Sequence, residues 1–248
     1  LGEAQPGWKP YHEEGHLIAL LKDNGASITL EPGGQVELSG APHRTLTALH
    51  AEMQENRSAL LRMAEGRDLH WLACGVTPLA TVDDISWMPK GRYRIMREYL
   101  PKRGDLALYM MKTTTSVQCN YDYLDEADCA AKVRLCAGLA PLTTALFSNS
   151  PLYAGKPTGF KSFRGHIWTR TDPDRCGFPP SLRGIYSHAR WVDYLLDVPM
   201  MFVHIDGDWI PAEGMPFRVY LEQGVNFNFP TLEDWDLHMT SVFPEVRI

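Results

Sequence analysis

The sequence has 248 residues, 44% of them hydrophobic and 22% charged, so it can bury a core as one large domain or two small ones. Its formal net charge of −6, with no long basic run, excludes the electrostatic footprint of a nucleic-acid or anionic-membrane partner. No apolar run has the length of a membrane span and no signal-peptide pattern opens the chain, so we predict a cytoplasmic protein. Five cysteines without a CxxC pair argue against a disulfide framework and a zinc site.

The first informative element is the stretch Ser27 to Ser39, which follows an apolar run and an Asn-Gly turn signal. Its sequence, SITLEPGGQVELS, separates polar from apolar residues with a period of two, which predicts a strand with one polar face. That face would carry Glu31 and Glu37 on either side of a Pro-Gly-Gly break. One interpretation is an ordinary half-buried strand with its polar face in water. The other is a site for a hard cation, which prefers converging carboxylate and amide oxygens.

Helical periodicity and terminal signals predict several helices after this strand. We place them at Arg44 to Ala64, about Pro89 to Tyr99, Asp125 to Ser148, Trp191 to Leu196 and Leu232 to Thr240. The long amphipathic ones should cover the apolar face of the sheet. Further strands are predicted at Leu69 to Val76 and Met200 to Ile205, and another begins at Glu245.

A second strand with a polar face is predicted at Met111 to Tyr123, with the sequence MKTTTSVQCNYDY. One parity holds β-branched and aromatic residues, whereas the other holds oxygen-bearing side chains that include Gln118 and Asn120. Two strands with the same polar character suggest a shared site.

The segment from Gly155 to Pro180 is rich in loop residues and concentrates positive charge in an acidic chain. Its basic residues are Lys156, Lys161, Arg164, His166, Arg170 and Arg175. One interpretation is a solvated basic loop, as many like-charged segments are. The other is a loop that holds a phosphoanion beside a metal ion, and the aromatic residues in the same segment argue against full exposure.

Several long motifs occur in one order along the chain. They are LEPGGQVELSGAP from Leu30, MPKGRYRIMREY from Met88, a Thr-Ser-Val-Gln-Cys-Asn core, the segment from Ala145 to Thr169 that ends in FRGHIWT, DYLLDVPMMF from Asp193, and FPEVRI from Phe243. With these motifs the chain resembles the glutamate-cysteine ligase family of plants and proteobacteria over essentially its whole length.

The resemblance implies an α+β protein with a glutamine-synthetase-like fold, in which an antiparallel sheet is curled into a funnel and helices pack on its outer face. Residues 1–248 would form a single catalytic domain that is truncated at both ends, because a Glu-x-Glu strand is expected upstream. The implied reaction joins the γ-carboxylate of glutamate to the amine of cysteine through a γ-glutamyl phosphate, with ATP as co-substrate and Mg²⁺ as cofactor. The partners would be these small molecules, and the choice between monomer and homodimer stays open.

The resemblance also implies the groups that would bind metal and phosphate. Glu37 and Glu245 are the leading candidates for metal ligands, and Glu31 is a weaker one. Gln118 is a further candidate from the second polar strand. Carboxylate oxygens at these positions would hold Mg²⁺ against the phosphates.

The remaining implied roles concern the anions and the amino acid. Arg164 and Arg247 would neutralise phosphate or a substrate carboxylate, since a guanidinium fork fits either anion. Asn120 would hydrogen bond to the substrate, Met111 would lie near the amino-acid pocket, and Trp168 would wall that pocket.

Two alternatives stay open from the sequence. A related carboxylate-amine ligase with another amine acceptor would use the same strand motifs. A catalytically incomplete module that binds ATP or an amino acid would keep the fold without the activity.

Overall fold

The computed structural model describes residues 7–247, and within them the chain is a mixed α+β protein, as the sequence predicted. The helices of this part are α1 (Leu46–Ala64), α2 (Gly91–Tyr99), α3 (Ala107–Thr113), α4 (Glu126–Leu146), α5 (Phe163–Trp168), α6 (His188–Asp197), α7 (Phe217–Gln223) and α8 (Leu232–Met239). The predicted helices correspond to α1, α2, α4, α6 and α8. Side chains cap several of them, for example Thr45 on α1 and Thr231, which forms a capping box on α8.

The strands of the described residues form four small sheets. They are β1 (Lys9–Glu13), β2 (His16–Leu21), β3 (Ser27–Leu30), β4 (Val36–Ser39), β5 (Leu152–Tyr153), β6 (Lys156–Pro157), β7 (Cys176–Gly177), β8 (Phe202–Ile205), β9 (Asp208–Pro211) and β10 (Phe243–Pro244). The largest sheet is antiparallel in the order β1-β2-β3-β4, and β7 pairs in parallel with β10. β8 confirms the strand predicted at Met200 to Ile205.

The predicted strand Ser27 to Ser39 is two strands, because its Pro-Gly-Gly sequence reverses the chain between β3 and β4. Gly34 has a φ of +83°, and its N–H donates to the carbonyl of Glu31 at 2.8 Å. The polar face nevertheless forms, since the register pairs Thr29 with Glu37 and so keeps odd-numbered residues together on one face. The continuous strand was therefore wrong, and the alternation of its faces was right.

The predicted strand Met111 to Tyr123 was wrong as well. Its first residues complete α3, and the hydroxyls of Thr113 and Thr114 donate to the carbonyls of Tyr109 and Met110 at the end of that helix. Beyond an isolated bridge at Thr114, residues 115–123 are exposed and have no partner strand within the described residues. β-branched composition alone did not create a strand here.

Two other predicted strands were also wrong. The segment Leu69 to Val76 contains only an isolated bridge, which joins Val76 to Thr114. A strand was predicted to begin at Glu245, but the observed strand β10 is Phe243–Pro244 and ends before that residue. Ile248 lies outside the described residues.

The predicted packing of the long helices over the sheet was wrong too. The buried cluster beside β2 and β3 consists of Trp8, Leu20, Ala26 and Ile28, with partly buried neighbours from the same sheet. The apolar stripe predicted for α4 lies in solvent, and Leu135, for example, is 60% exposed. The buried residues of that helix are Cys129 and Val133. By length and composition α4 could cross a membrane, a test that helices of soluble proteins also pass.

The main core lies between α2, α3 and α5. Its most buried members include Leu100, Ala107 and Ile167, each 0% exposed. Gly104 allows the turn after α2 to touch this region, because a Cβ there would lie 2.2 Å from the carbonyl oxygens of Arg170 and Thr171. The core therefore fixes α5 against α3.

A buried ion pair connects this core to the C-terminal segment. Asp172 and Arg175 are both fully buried, and Arg175 Nε donates to Asp172 Oδ2 at 2.6 Å. The same guanidinium donates to the carbonyls of Ser241 at 3.1 Å and Pro199 at 2.5 Å. The carbonyl of Arg175 accepts the N–H of Phe243 at 2.7 Å, so one residue holds β10 through both its side chain and its backbone.

We expect Asp172→Asn to lower the free energy of unfolding by about 3–5 kcal/mol, because it leaves a buried guanidinium without its carboxylate. The matched control is Asp193→Asn, which weakens the exposed ion pair with Arg218 and should cost less than about 1 kcal/mol. Urea denaturation of both variants measures the difference. Equal losses would show that Arg175 does not depend on Asp172.

A pH-dependent stability term is expected from His238. This ring is 5% exposed, its Nε2 lies 2.8 Å from the carbonyl of Leu195, and burial lowers its pKa from 6.5 to about 4. As the pH falls, the unfolded chain protonates this histidine before the folded chain does. The contribution of neutral His238 to the free energy of unfolding should therefore be full above pH 6.5 and decline toward pH 4.

The slope should approach about 1.4 kcal/mol per pH unit for one proton, measured by urea denaturation between the two pKa values. His238→Gln should flatten this part of the profile. The exposed His70→Gln should leave it unchanged, and an unchanged profile in His238→Gln would contradict the assignment.

Candidate active site

The turn between β3 and β4 positions Glu31 and Glu37. Hydrogen bonds and close backbone packing hold this turn against the end of α3. The side-chain amide of Gln35 donates to the carbonyls of Met111 at 3.2 Å and Thr114 at 3.0 Å, and its Oε1 accepts the N–H of Gly33. Gly33 presses on the end of α3, since a Cβ there would lie 2.2 Å from the carbonyl oxygen of Lys112. This packing gives the turn a fixed position.

Glu31 and Glu37 lie at opposite ends of this turn and interact electrostatically. Glu31 is partly buried, and desolvation raises its pKa, with a further contribution from the charge of Glu37. Lys90 and Arg92 oppose that shift. Two carboxylates that repel each other, one of them partly desolvated, are suited to accept a cation, and Lys90 and Arg92 moderate this tendency.

Lys90 and Arg92 belong to the MPKGRYR motif, one of the motifs that carry the family resemblance. Lys90 is 9% exposed at the start of α2, and burial together with Arg92 lowers its pKa. Its Nζ donates to the hydroxyl of Tyr93 at 3.4 Å, and that hydroxyl donates to the carbonyl of Leu30. The signal in the sequence was the pair of basic residues Lys90 and Arg92 at the predicted start of a helix, whereas the burial of Lys90 beside Glu31 is visible only in the structure.

Arg164 lies on α5, where the cationic loop was predicted. Ser162 caps this helix, and the N–H of Arg164 donates to Ser150 Oγ at 3.1 Å. Its guanidinium lies 5.5 Å from the ring centre of Trp168, and its buried Nε has no hydrogen-bond partner among the described residues. The indole N–H of Trp168 is also buried and unpartnered within that part of the chain.

Aromatic contacts join Arg164 to the C-terminal segment. The rings of Trp168 and Phe243 meet edge to face with centroids 5.7 Å apart. The guanidinium of Arg247 lies 5.8 Å from the ring centre of Phe243. The segment that carries Glu245 and Arg247 therefore lies against the wall formed by Trp168.

Opposite charges face each other across this surface without contact. Burial lowers the pKa of Arg164, and Glu245 opposes that shift. Burial likewise lowers the pKa of Arg247, and Glu37 opposes it. Within residues 7–247, neither pair brings a guanidinium nitrogen within 4.0 Å of a carboxylate oxygen. In contrast, Arg218 Nη2 lies 2.7 Å from Asp193 Oδ1.

The structure thus brings together six of the predicted site residues, which we call the site surface. They are Glu31, Glu37, Arg164, Trp168, Glu245 and Arg247. Within residues 7–247, no three His, Cys, Asp or Glu residues form a group that could hold a metal ion alone. The Glu31–Glu37 pair fits Mg²⁺ as part of a ligand set.

The other three predicted site residues lie elsewhere. Met111 is 2% exposed, and its side chain packs in the main core while its carbonyl supports the turn. Gln118 and Asn120 lie in the exposed, irregular segment after α3. Among the described residues, neither forms a hydrogen bond with the site surface.

Comparison with known proteins gives the same family over almost the whole sequence. The model of "Glutamate-cysteine ligase family 2 (GCS2)" matches residues 5–248. The chloroplastic glutamate-cysteine ligase of Brassica juncea is 46% identical over 239 residues, which cover 95% of this chain and 46% of that protein. The Arabidopsis thaliana protein is 45% identical over the same length and coverage.

A chloroplastic glutamate-cysteine ligase B of Oryza sativa subsp. japonica is 44% identical over 97% of this chain and 49% of its own length. The chain therefore spans about half the length of the curated relatives it matches. The predicted cytoplasmic location was wrong, because these relatives are chloroplastic. A search for apolar signal segments does not detect plastid transit peptides, which are amphipathic and rich in Ser and Arg.

We expect Glu37→Gln to lower the pKa of Glu31 toward its ordinary value, because the substitution removes a like charge and keeps the shape. Burial should hold that pKa above the ordinary value in the variant. Carboxyl-carbon NMR titration measures it, with Glu98→Gln on α2 as the control. An unchanged Glu31 titration would contradict the proximity of the two carboxylates.

Proposed function

Because the chain belongs to glutamate-cysteine ligase family 2, we propose that it forms much of the active site of an ATP-dependent ligase. The enzyme would join the γ-carboxylate of L-glutamate to the amine of L-cysteine, the first step of glutathione synthesis. The substrates would be glutamate, cysteine and ATP. We also propose the glutamine-synthetase-like curled sheet for the complete catalytic domain.

One observation carries this proposal: the site surface holds charged and polar groups that face one another and remain unpaired. Arg164 Nε and the Trp168 indole N–H are buried without partners in the described residues. Such groups are costly to bury unless a ligand satisfies them. The opposed pairs Arg164/Glu245 and Arg247/Glu37 interact without forming salt bridges within residues 7–247, so their charges remain available to a ligand.

The ligase chemistry requires two developing charges to be stabilised. Transfer of the γ-phosphoryl group of ATP to the glutamate carboxylate would release ADP and form an acyl phosphate. The amine of cysteine would then attack the acyl carbon, form the amide bond, lose a proton and displace inorganic phosphate. Arg164 and Arg247 would neutralise the transferred phosphoryl group and the carboxylate it reaches. Their partial desolvation strengthens these interactions relative to water.

Glu31 and Glu37 would hold Mg²⁺, with Glu245 as a further ligand. The ion would supply charge neutralisation at the phosphates. Lys90 and Arg92 would limit the repulsion between the two carboxylates when the ion is absent. Trp168 would form an apolar wall that excludes water from the acyl phosphate.

Gln118 and Asn120 keep their proposed roles only through movement of their exposed segment. We propose that residues 115–124 become ordered over bound substrate and bring these amides to the site surface. A different amine acceptor is not favoured by any contact in the structure. Measuring product formation with alternative amines would test it.

In the complete natural enzyme, Arg164→Lys should be nearly as damaging as Arg164→Ala. The ammonium group cannot reproduce the planar guanidinium contact, and the loss should be about 2–4 kcal/mol, or roughly 30- to 1000-fold in kcat/KM. Steady-state formation of γ-glutamylcysteine measures it. Arg170→Lys is the matched control, because Arg170 lies next to α5 and pairs with Asp105 in solvent.

If Arg164 only supported the loop, Arg164→Lys would lower the melting temperature without changing the kinetic constants of the folded enzyme. Wild-type glutamate kinetics in this variant would contradict the proposed contact with the anions. An effect of equal size in Arg170→Lys would show that the loss is not specific to a contact between Arg164 and the anions.

A further inference from the structure

A cavity of about 290 Å³ lies beside the site surface, between α6 and α8. Its apolar walls are Trp191 and Leu195 from α6, Met239 from α8, and Val242 from the C-terminal segment. Trp191, Leu195 and Val242 are 6%, 1% and 2% exposed, so these walls belong to a core cluster. The volume is at the lower limit of small-molecule pockets, which restricts the occupant to a small compound.

Charged groups of both signs border the same cavity. Asp236 from α8 and Arg247 from the C-terminal segment both line it. Both residues reach solvent, although the surrounding protein partly desolvates the guanidinium of Arg247. Asp236 forms no salt bridge within residues 7–247, and its carboxylate is therefore available. Arg247 contributes a guanidinium whose nearest described contact is the ring of Phe243.

A third polar group points to a ligand independently of these charges. Trp191 lines the cavity, and its indole N–H is buried with no hydrogen-bond partner in the described part of the chain. Buried donors of this kind are rare and usually paired, so an occupant that accepts a hydrogen bond would remove the cost of burying it.

We propose that this cavity binds a free α-amino acid with an apolar side chain. Its carboxylate would accept hydrogen bonds from Arg247 and Trp191, and its ammonium group would donate to Asp236. Its side chain would fill the space between Leu195, Met239 and Val242. An apolar α-amino acid combines a carboxylate, an ammonium group and a small apolar body, which are the three features that the cavity lining complements.

The cavity shares Arg247 with the site surface, which couples the two. The charge of Glu37 also acts on this guanidinium. An occupant carboxylate therefore competes with Glu37 for Arg247, and this competition is reciprocal. Glu37→Gln should accordingly tighten binding of the amino acid.

The direct test is calorimetric titration of the chain with L-leucine, which is neither substrate of the proposed ligase. Two analogues separate its charged groups: 4-methylpentanoate lacks the ammonium group, and 3-methylbutylamine lacks the carboxylate. Each loses one charged hydrogen-bonded contact and should bind at least about tenfold more weakly. These measurements need no ATP or turnover, so they stand or fall separately from the proposed ligase activity.

Two variants locate the site. Trp191→Phe keeps the aromatic wall and removes only the unpartnered N–H, and Asp236→Asn removes the charge; each should weaken leucine binding about tenfold. Asp193→Asn, on the same helix as Trp191 but bonded to Arg218, should bind as the unmodified chain does. Circular dichroism checks that every variant folds.

Several results would overturn the proposal. They are no detectable heat with leucine, equal binding of leucine and either analogue, or an affinity in folded Trp191→Phe or Asp236→Asn that equals that of the unmodified chain. Weaker binding in Asp193→Asn as well would indicate a general effect of charge rather than this cavity.

Discussion

The buried guanidinium of Arg175 is the contact on which the geometry of the site depends most. It joins Asp172 to Ser241 and Pro199, and lies 5.6 Å from the ring centre of Tyr99, so helix α2, the loop before β7 and the C-terminal segment meet at one side chain. Burying this charge is costly unless every donor is matched, and four described acceptor atoms surround it. The buried Arg175 fixes the position of strand β10, and Glu245 and Arg247 follow directly after that strand.

A second constraint fixes the opposite side of the site. The amide of Gln35 replaces the hydrogen bonds that the end of α3 cannot make within its own helix, and Gly33 permits the close approach. Glu31 and Glu37 are therefore carried by a turn anchored to the main core, while Glu245 and Arg247 are carried by a strand anchored to Arg175. Two rigid supports from distant parts of the sequence set the spacing of the charges between them.

The sequence predicted the helices better than the strands, and six of the nine predicted site residues lie together at the site surface. Capping residues such as Thr45 and Thr231 are local signals, and the helices they begin are present. The Pro-Gly-Gly of residues 32–34 was interpreted as an interruption of one strand, although a glycine with positive φ is also how a hairpin turns. The pairing of odd-numbered residues across that turn preserved the predicted face by register, which a single strand pattern cannot reveal. The strand predicted over residues 115–123 is absent for a different reason. A segment with the composition of a strand forms one only beside a partner strand, and the described residues supply none. Burial of Arg175 was not predictable either, because it is one of six basic residues in its loop and nothing in the sequence distinguishes it from the others.

The electrostatics of the site follow from this division between two supports. Elsewhere in the described chain, oppositely charged residues approach until they touch, as Arg218 does with Asp193 and Asp197. At the site surface the charges belong to elements that are anchored separately, so Arg164 and Arg247 interact with Glu245 and Glu37 without closing into salt bridges. Desolvation lowers the pKa of both arginines and raises that of Glu31, which shows that none of the three charges is fully compensated within the described chain. The proposed anion and cation would supply the missing compensation. Separate anchoring of complementary charges is therefore the physical basis of the proposed binding.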